Sequence, residues 1–224
     1  MIGRAWPLAA ALLLGSCAGQ PVADWQADAA SALDAYRRHY LDGNTRLAQR
    51  DYAQARAALA STGSLERAAR AELIRCAVAV AALDFDACSG VEALLADAGA
   101  DDRAYGRFLL GAWDGIDAGR LPASYRSLVA GRDEAAQNGA ATGIDDPLSR
   151  LIACGILLKL ERIQPNTVNA AVNTASSEGY RRPLLAWLTV QAKLADAAGD
   201  KAALETARKR IEFITRSSPR GVQP

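Results

Sequence analysis

The feature that most constrains the fold is a helix-forming sequence broken by short polar turns, with no convincing strand-like alternation of apolar and polar residues. Alanine, leucine, arginine and glutamate, all strong helix formers, recur along most of the chain. Helices are predicted wherever apolar residues recur with helical spacing. These segments are 25–48, 52–60, 64–83, 87–97, 101–117, 123–137, 147–162, 166–177, 180–198 and 200–216. The sequence therefore predicts an all-α protein.

The residues between these segments support their boundaries. Ser64 and Asp146 are predicted N-caps, and Pro147 fits the first turn of the helix that follows. Gly139 and Gly179 are predicted at helix ends, where glycine is common. Helices joined by such short loops favour antiparallel hairpins stacked side by side in one domain over residues 25–224.

One hairpin resembles the tetratricopeptide repeat. The matching positions are Gly43, Asn44, Asp51, Tyr52, Ala55 and Leu59, with Asp51-Tyr52 taken as the turn. The pattern's tryptophan, leucine and tyrosine are replaced by His39, Asp42 and Arg46, and a weaker match spans 187–210. The resemblance implies a tetratricopeptide-like α-solenoid. No clean period of about 34 residues is present, so an irregular α-α superhelix or another helical-hairpin domain stays an alternative.

The amino-terminal residues have the parts of an export signal. Arg4 is followed by an apolar run from Ala5 to Leu14, which is shorter than the about 20 residues needed to span a bilayer. The run ends in Leu14-Gly15-Ser16-Cys17, which resembles the lipobox of bacterial lipoproteins. The resemblance implies that 1–16 is a cleaved signal peptide and that Cys17 carries acyl chains such as palmitate. An ordinary secretory signal is the alternative.

The same resemblance implies a location. Ala18 stands where an aspartate commonly retains lipoproteins in the inner membrane, so we expect an outer-membrane protein that faces the periplasm. Residues 17–24 form a lipidated tether, of which 18–24 extend about 25 Å. The domain is therefore expected to stay near the membrane surface.

The remaining cysteines are expected to be structural. Because disulfides are permitted in the periplasm, Cys76 and Cys88, on either side of a short link, are predicted to pair. Cys154 lies in an apolar segment and is predicted to be a buried thiol.

Few residues are suited to catalysis. His39 is the sole histidine and is expected to be exposed or partly packed, since zinc ligation and a catalytic triad both need more partners. Neither a metal nor any cofactor other than the lipid is predicted. Acidic pairs occur at Asp84/Asp86, Asp101/Asp102 and Asp145/Asp146. They are predicted to cap helices, although such a pair could also serve glycoside hydrolysis.

Charge excludes one class of partner and suggests another. Without Arg4, which lies in the signal, 25 basic residues balance 25 acidic ones, which gives no support for nucleic-acid binding. The candidate binding residues are Arg208, Lys209, Arg210 and Arg216. They could meet lipid headgroups, a phosphorylated glycan or an acidic protein, or form a solvated face. Trp25 is expected either at the membrane interface or at the end of the helical core.

These observations predict a non-enzymatic, outer-membrane-anchored lipoprotein that acts as a protein-binding scaffold or assembly factor for a cell-envelope machine. Stacked helical hairpins present extended concave surfaces suited to such binding. The alternatives are a cell-wall glycan hydrolase that uses an acidic pair and a purely structural lipoprotein.

Overall fold

A computed structural model describes residues 23–217, and this part of the chain is helical and without strands. The α-helices are α1 (Asp24–Leu41), α2 (Thr45–Ala60), α3 (Leu65–Ala81), α4 (Val91–Leu94), α5 (Ala100–Leu110), α6 (Ala123–Ala130), α7 (Glu134–Thr142), α8 (Pro147–Lys159), α9 (Pro165–Ser177), α10 (Arg181–Ala197) and α11 (Lys201–Arg216). Two 3₁₀-helices span Asp86–Cys88 and Ala118–Arg120. Helices adjacent in sequence pack together, above all α1 with α2, α9 with α10 and α10 with α11. The predicted all-α stack of helical hairpins is confirmed.

The predicted caps begin the helices assigned to them. The Ser64 hydroxyl accepts a hydrogen bond from the Arg67 amide at 3.3 Å. The Asp146 carboxylate accepts one from the Ser149 amide at 2.8 Å, and Pro147 occupies the first turn of α8. Each cap satisfies an amide that has no acceptor within its own helix.

The turn of the first hairpin lies earlier than predicted. Gly43 has a φ of 83°, a left-handed conformation that glycine adopts without penalty. Asn44 then caps α2 by accepting from the Leu47 amide at 3.3 Å. Asp51 and Tyr52 lie within α2, so the predicted Asp-Tyr turn is wrong.

Several other boundaries also differ from the predictions. Gly111, with a φ of 80°, ends α5 early. The predicted helix 123–137 is divided in two, because Asp133 caps the start of α7. Gly139 lies inside α7 and not at its end, whereas Gly179, with a φ of 68°, follows α9 as predicted.

Helix α3 lies between two hydrophobic cores, and every residue from Cys76 to Ala81 is buried. The larger core, which we call the main core, is filled by leucine, isoleucine, valine and aromatic side chains of α3 and α5–α10, with Trp187 and Phe108 fully buried. The smaller core, which we call the hairpin core, is formed by α1, α2 and the other face of α3, and it contains Tyr36 and Tyr52. The main core therefore forms the body, and the first hairpin is attached to it through α3.

The predicted disulfide joins Cys76 to Cys88, with a Cα–Cα distance of 4.8 Å. Cys88 belongs to the short 3₁₀-helix, since the predicted helix 87–97 is reduced to that turn and to α4. The bond fixes this irregular segment to the buried face of α3.

Candidate functional site

An apolar groove runs along the outer surface of the first three helices. It consists of two depressions of about 420 and 160 Å³, both lined by Leu59 and Ala71. These two side chains are buried and form the floor. Trp25 and Ile74 line the larger depression, and Leu94 lines the smaller. We refer to these connected depressions as the α1–α3 groove.

Small side chains explain why the groove stays open. Ala29 and Ala30 of α1 and Ala68 and Ala71 of α3 line its walls and floor. The side chain of alanine is a single methyl group. It therefore leaves open the space between these helices, which larger residues elsewhere keep apart. The sequence thus creates a concave apolar surface where a leucine-rich interface would be closed.

Three arginines border the α1–α3 groove. Arg70 is paired with Asp102 at 2.9 Å, so its charge is already compensated. The guanidinium of Arg67 lies 4.6 Å from the centre of the Trp25 ring, in a cation–π contact. Within residues 23–217, neither Arg67 nor Arg56 has a carboxylate at salt-bridge distance. Glu72 also lines the smaller depression, but it is paired with Arg75 at 2.6 Å. The groove therefore combines an apolar floor with two arginines that have no carboxylate partner in this part of the chain.

Trp25 packs against the hairpin core and is partly buried. This position agrees with a residue at the end of the helical core, one of the two expectations for it. Its role at a membrane interface stays a prediction.

His39 is partly packed, as expected, but sequence reasoning missed its contact with a buried carboxylate, Asp51, in the first hairpin. His39 Nδ1 of α1 donates to Asp51 Oδ2 of α2 at 2.5 Å, and Arg50 donates to the other oxygen at 2.8 Å. Burial acts to raise the pKa of Asp51, but hydrogen bonds and charges from Arg50 and His39 outweigh it and lower that pKa. Because Asp51 falls on the buried face of α2, beside Ala48 and Tyr52, a charged partner could have been inferred.

The candidate basic residues of α11 do not form one patch. Lys209 is paired with Glu205 at 2.6 Å and Arg216 with Glu212 at 2.5 Å. Arg208 and Arg210 are two positions apart, so they project about 160° from each other around the helix. The structure brings none of the four into a shared cavity among the pockets of the described residues.

The acidic pairs lie near helix starts, as predicted, but among them only Asp146 caps a helix with its side chain, and the predicted capping by the other two pairs is wrong. Asp146 caps α8, as described above. Asp101 and Asp102 lie in the first turn of α5, paired with Arg120 at 3.2 Å and with Arg70. Asp84 accepts a hydrogen bond from the Tyr40 hydroxyl at 2.9 Å.

The remaining predicted residues divide between described and undescribed parts of the chain. Cys17 lies outside the described residues, so its lipidation stays a prediction. Cys154 is a free, fully buried thiol, and burial raises its pKa to about 12. Residues 23–217 contain no cluster of side chains suited to a metal ion, and no helix there is long and apolar enough to cross a membrane.

Fold and groove together describe a helical-hairpin protein with a concave lateral surface. Comparisons with known protein families, with curated proteins and with solved structures give no match for this chain.

Proposed function

We propose that this protein is a lipid-anchored scaffold of the outer membrane that binds a partner protein of the cell envelope through the α1–α3 groove. The observation that carries the proposal is the combination of an apolar floor with Arg56 and Arg67, two arginines that have no carboxylate partner within residues 23–217. An amphipathic segment with acidic residues beside its apolar face fits that combination, because it buries its apolar side chains and neutralises both arginines.

The groove has the features of a binding surface rather than of a reaction site. Its floor consists of aliphatic side chains, and its polar groups lie at the rim, as in many protein interfaces. Binding there would make a partner's segment an additional element packed on α1 and α3. A tether at the start of α1 would keep this surface close to the membrane.

The proposed binding is tested by site-specific photocrosslinking in intact cells. A photoreactive amino acid at Ala30 or at Ala68, one in each depression, is expected to capture the same partner. The double variant Arg56→Glu and Arg67→Glu is expected to abolish both adducts through charge repulsion. Ala202 on exposed α11 is the matched control position and is expected to give no such adduct. Capture of unrelated proteins at Ala30 and Ala68, or adducts unaffected by the charge reversal, would contradict the proposal.

The lipid anchor is tested separately. Cys17→Ala is expected to move the protein from the membrane fraction to the soluble periplasmic fraction, since the two or more acyl chains are the anchor. A variant that still sediments with membranes would show that the anchor lies elsewhere.

A further inference from the structure

A second cavity, separate from the α1–α3 groove, lies where the first hairpin meets the body. It has a volume of about 460 Å³, within the range of small-molecule sites. Its walls come from three places distant in sequence. They are Gly43 in the turn between α1 and α2, Ala82 and Asp84 after α3, and Arg181, Leu185 and Thr189 on α10. We refer to it as the α10 pocket.

The wall formed by α10 is a ladder of residues spaced four apart. Arg181, Leu185 and Thr189 lie on one face of the helix, and the ladder is about 12 Å long. A positive charge therefore occupies one end, with an aliphatic side chain in the middle.

Arg181 carries a charge that no described residue compensates. No carboxylate within residues 23–217 lies at salt-bridge distance from it. Its Nε atom is buried and has no hydrogen-bond partner, and it is the only charged group among the buried polar atoms left unsatisfied there. The Arg181 side chain is only partly buried and lines the pocket, so an anion bound there would compensate its charge through the rest of the guanidinium.

The neighbouring Arg182 is already engaged, so it forms part of the frame. Its guanidinium lies 4.4 Å from the centre of the Tyr40 ring. It also donates to the Tyr40 carbonyl at 2.9 Å and to the Thr45 hydroxyl at 2.6 Å. These contacts hold the hairpin turn against α10 and leave Arg181 as the arginine free to meet a ligand.

The negative charge in the α10 pocket is that of the Asp84 carboxylate. One of its oxygens accepts the Tyr40 hydroxyl, and no described lysine or arginine lies at salt-bridge distance. Its position is set by the end of α3, where Leu83 has a φ of 62° and the Asp84 amide donates to the Ala79 carbonyl. That arrangement closes the helix with a fixed turn and directs the chain from α3 into the pocket wall.

We propose that the α10 pocket binds a small zwitterion of the size of a dipeptide. Its carboxylate would meet Arg181, its ammonium group Asp84, and its apolar side chain Leu185 and Ala82. Each charge of such a molecule would meet an opposite charge that has no ion-pair partner within residues 23–217, and a molecule with a single charge satisfies only half of the site.

The test compares three probes that separate the two charges. They are alanyl-leucine, with both charges, N-acetyl-leucine, with the carboxylate alone, and leucinamide, with the ammonium alone. Calorimetric titration of the full chain is expected to show alanyl-leucine binding about tenfold or more tighter than either other probe. Amide NMR shifts on binding are expected to centre on Leu185 and Ala186.

Two variants are expected to have reciprocal effects. Arg181→Gln should weaken the binding of alanyl-leucine and N-acetyl-leucine about tenfold and leave the binding of leucinamide unchanged. The affinity of Arg181→Lys for alanyl-leucine should lie between those of Arg181→Gln and the natural protein. Asp84→Asn, which keeps an acceptor for Tyr40, should weaken alanyl-leucine and leucinamide and leave N-acetyl-leucine unchanged. Arg208→Gln on α11 is the control and should change nothing.

Three results would overturn the proposal. They are the absence of binding by alanyl-leucine, equal binding of all three probes, and shifts centred away from α10. Because the α10 pocket is separate from the α1–α3 groove, the double variant Arg56→Glu and Arg67→Glu should leave alanyl-leucine binding intact. A negative result at one site therefore does not contradict the proposal for the other.

Discussion

The two cores of this molecule share the same kind of helix packing but are filled by different side chains. The main core contains large, fully buried residues such as Trp187, Phe108 and Leu157. The hairpin core is smaller: it contains three alanines, the aliphatic residues Leu41, Leu59 and Val78, and two tyrosines whose polar hydroxyls require partners. Burial of apolar area stabilises in proportion to that area, so we expect the body to be the more stable unit and the hairpin to open first.

The attachment between the two regions combines the apolar contacts of the hairpin core on α3 with several hydrogen bonds. Tyr36 donates to the Arg75 carbonyl at 3.4 Å, and Tyr40 donates to Asp84. Arg182 bridges to the hairpin turn. Such bonds contribute about 1 kcal/mol each, less than a buried aromatic side chain. Both proposed binding sites involve the less stable region, which is where adaptable surfaces are commonly found.

The largest expected effect separates a tryptophan of the body from one of the hairpin. Trp187→Ala should lower the free energy of unfolding by about 4 kcal/mol, because it removes a fully buried ring and its hydrogen bond to the Ala81 carbonyl. Trp25→Ala, at a partly buried site, should cost about 1 kcal/mol. Urea unfolding measures both, and equal losses would show that the cores do not differ as described.

A smaller effect is expected where Gly155 of α8 lies close to the backbone of α3. A Cβ atom at Gly155 would lie 2.5 Å from the Val80 carbonyl oxygen, so Gly155→Ala must push two backbones apart. We expect a loss of about 2 to 3 kcal/mol. At Gly139, exposed on α7, a Cβ atom meets nothing within 4 Å, and Gly139→Ala should stabilise by about 0.5 to 1 kcal/mol. Thermal unfolding of the two variants should shift in opposite directions, and a harmless Gly155→Ala would refute the close contact.

The hairpin should instead show its weakness at low pH. The pKa of Asp51 is lowered in the folded protein, so the stability it provides is fully present above its unfolded pKa of about 3.9 and is lost as the pH falls through the folded value. Asp51→Asn should cost about 1.5 kcal/mol at pH 7. The difference from the natural protein should shrink towards pH 2.

Urea unfolding over pH 2–7 measures that convergence. Asp28→Asn, at an exposed position of α1, is the matched control and should leave the curve unchanged. A constant difference between Asp51→Asn and the natural protein at every pH would contradict the role given to the ion pair.

The features that the sequence predicted correctly depend on local signals. The caps Ser64 and Asp146 stand directly before the helices that they begin, and Cys76 and Cys88 are separated by one short link. The all-α architecture follows from residue preferences that act within a few turns. Errors occurred where one residue overrides a continuous pattern, as Gly111 does at the end of α5.

The two candidate sites could not be predicted in the same way. Arg182 and Tyr40 are 142 positions apart in sequence, yet their contact frames the α10 pocket. The α1–α3 groove likewise depends on Trp25 and Ile74, which belong to different helices. Nothing in the local pattern states which faces remain uncovered once the helices pack.

The smallest expected effect tests the attachment between the two regions directly. Tyr40→Phe removes the hydroxyl that donates to Asp84 at 2.9 Å and keeps the ring beneath Arg182. It should destabilise the hairpin by about 0.5 to 1 kcal/mol. Hydrogen exchange of the α1 and α2 amides should accelerate accordingly, while that of α8 in the main core should not change. Equal acceleration in all three helices would mean that the hairpin and the body open as one unit, and the distinction between the two regions would then be wrong.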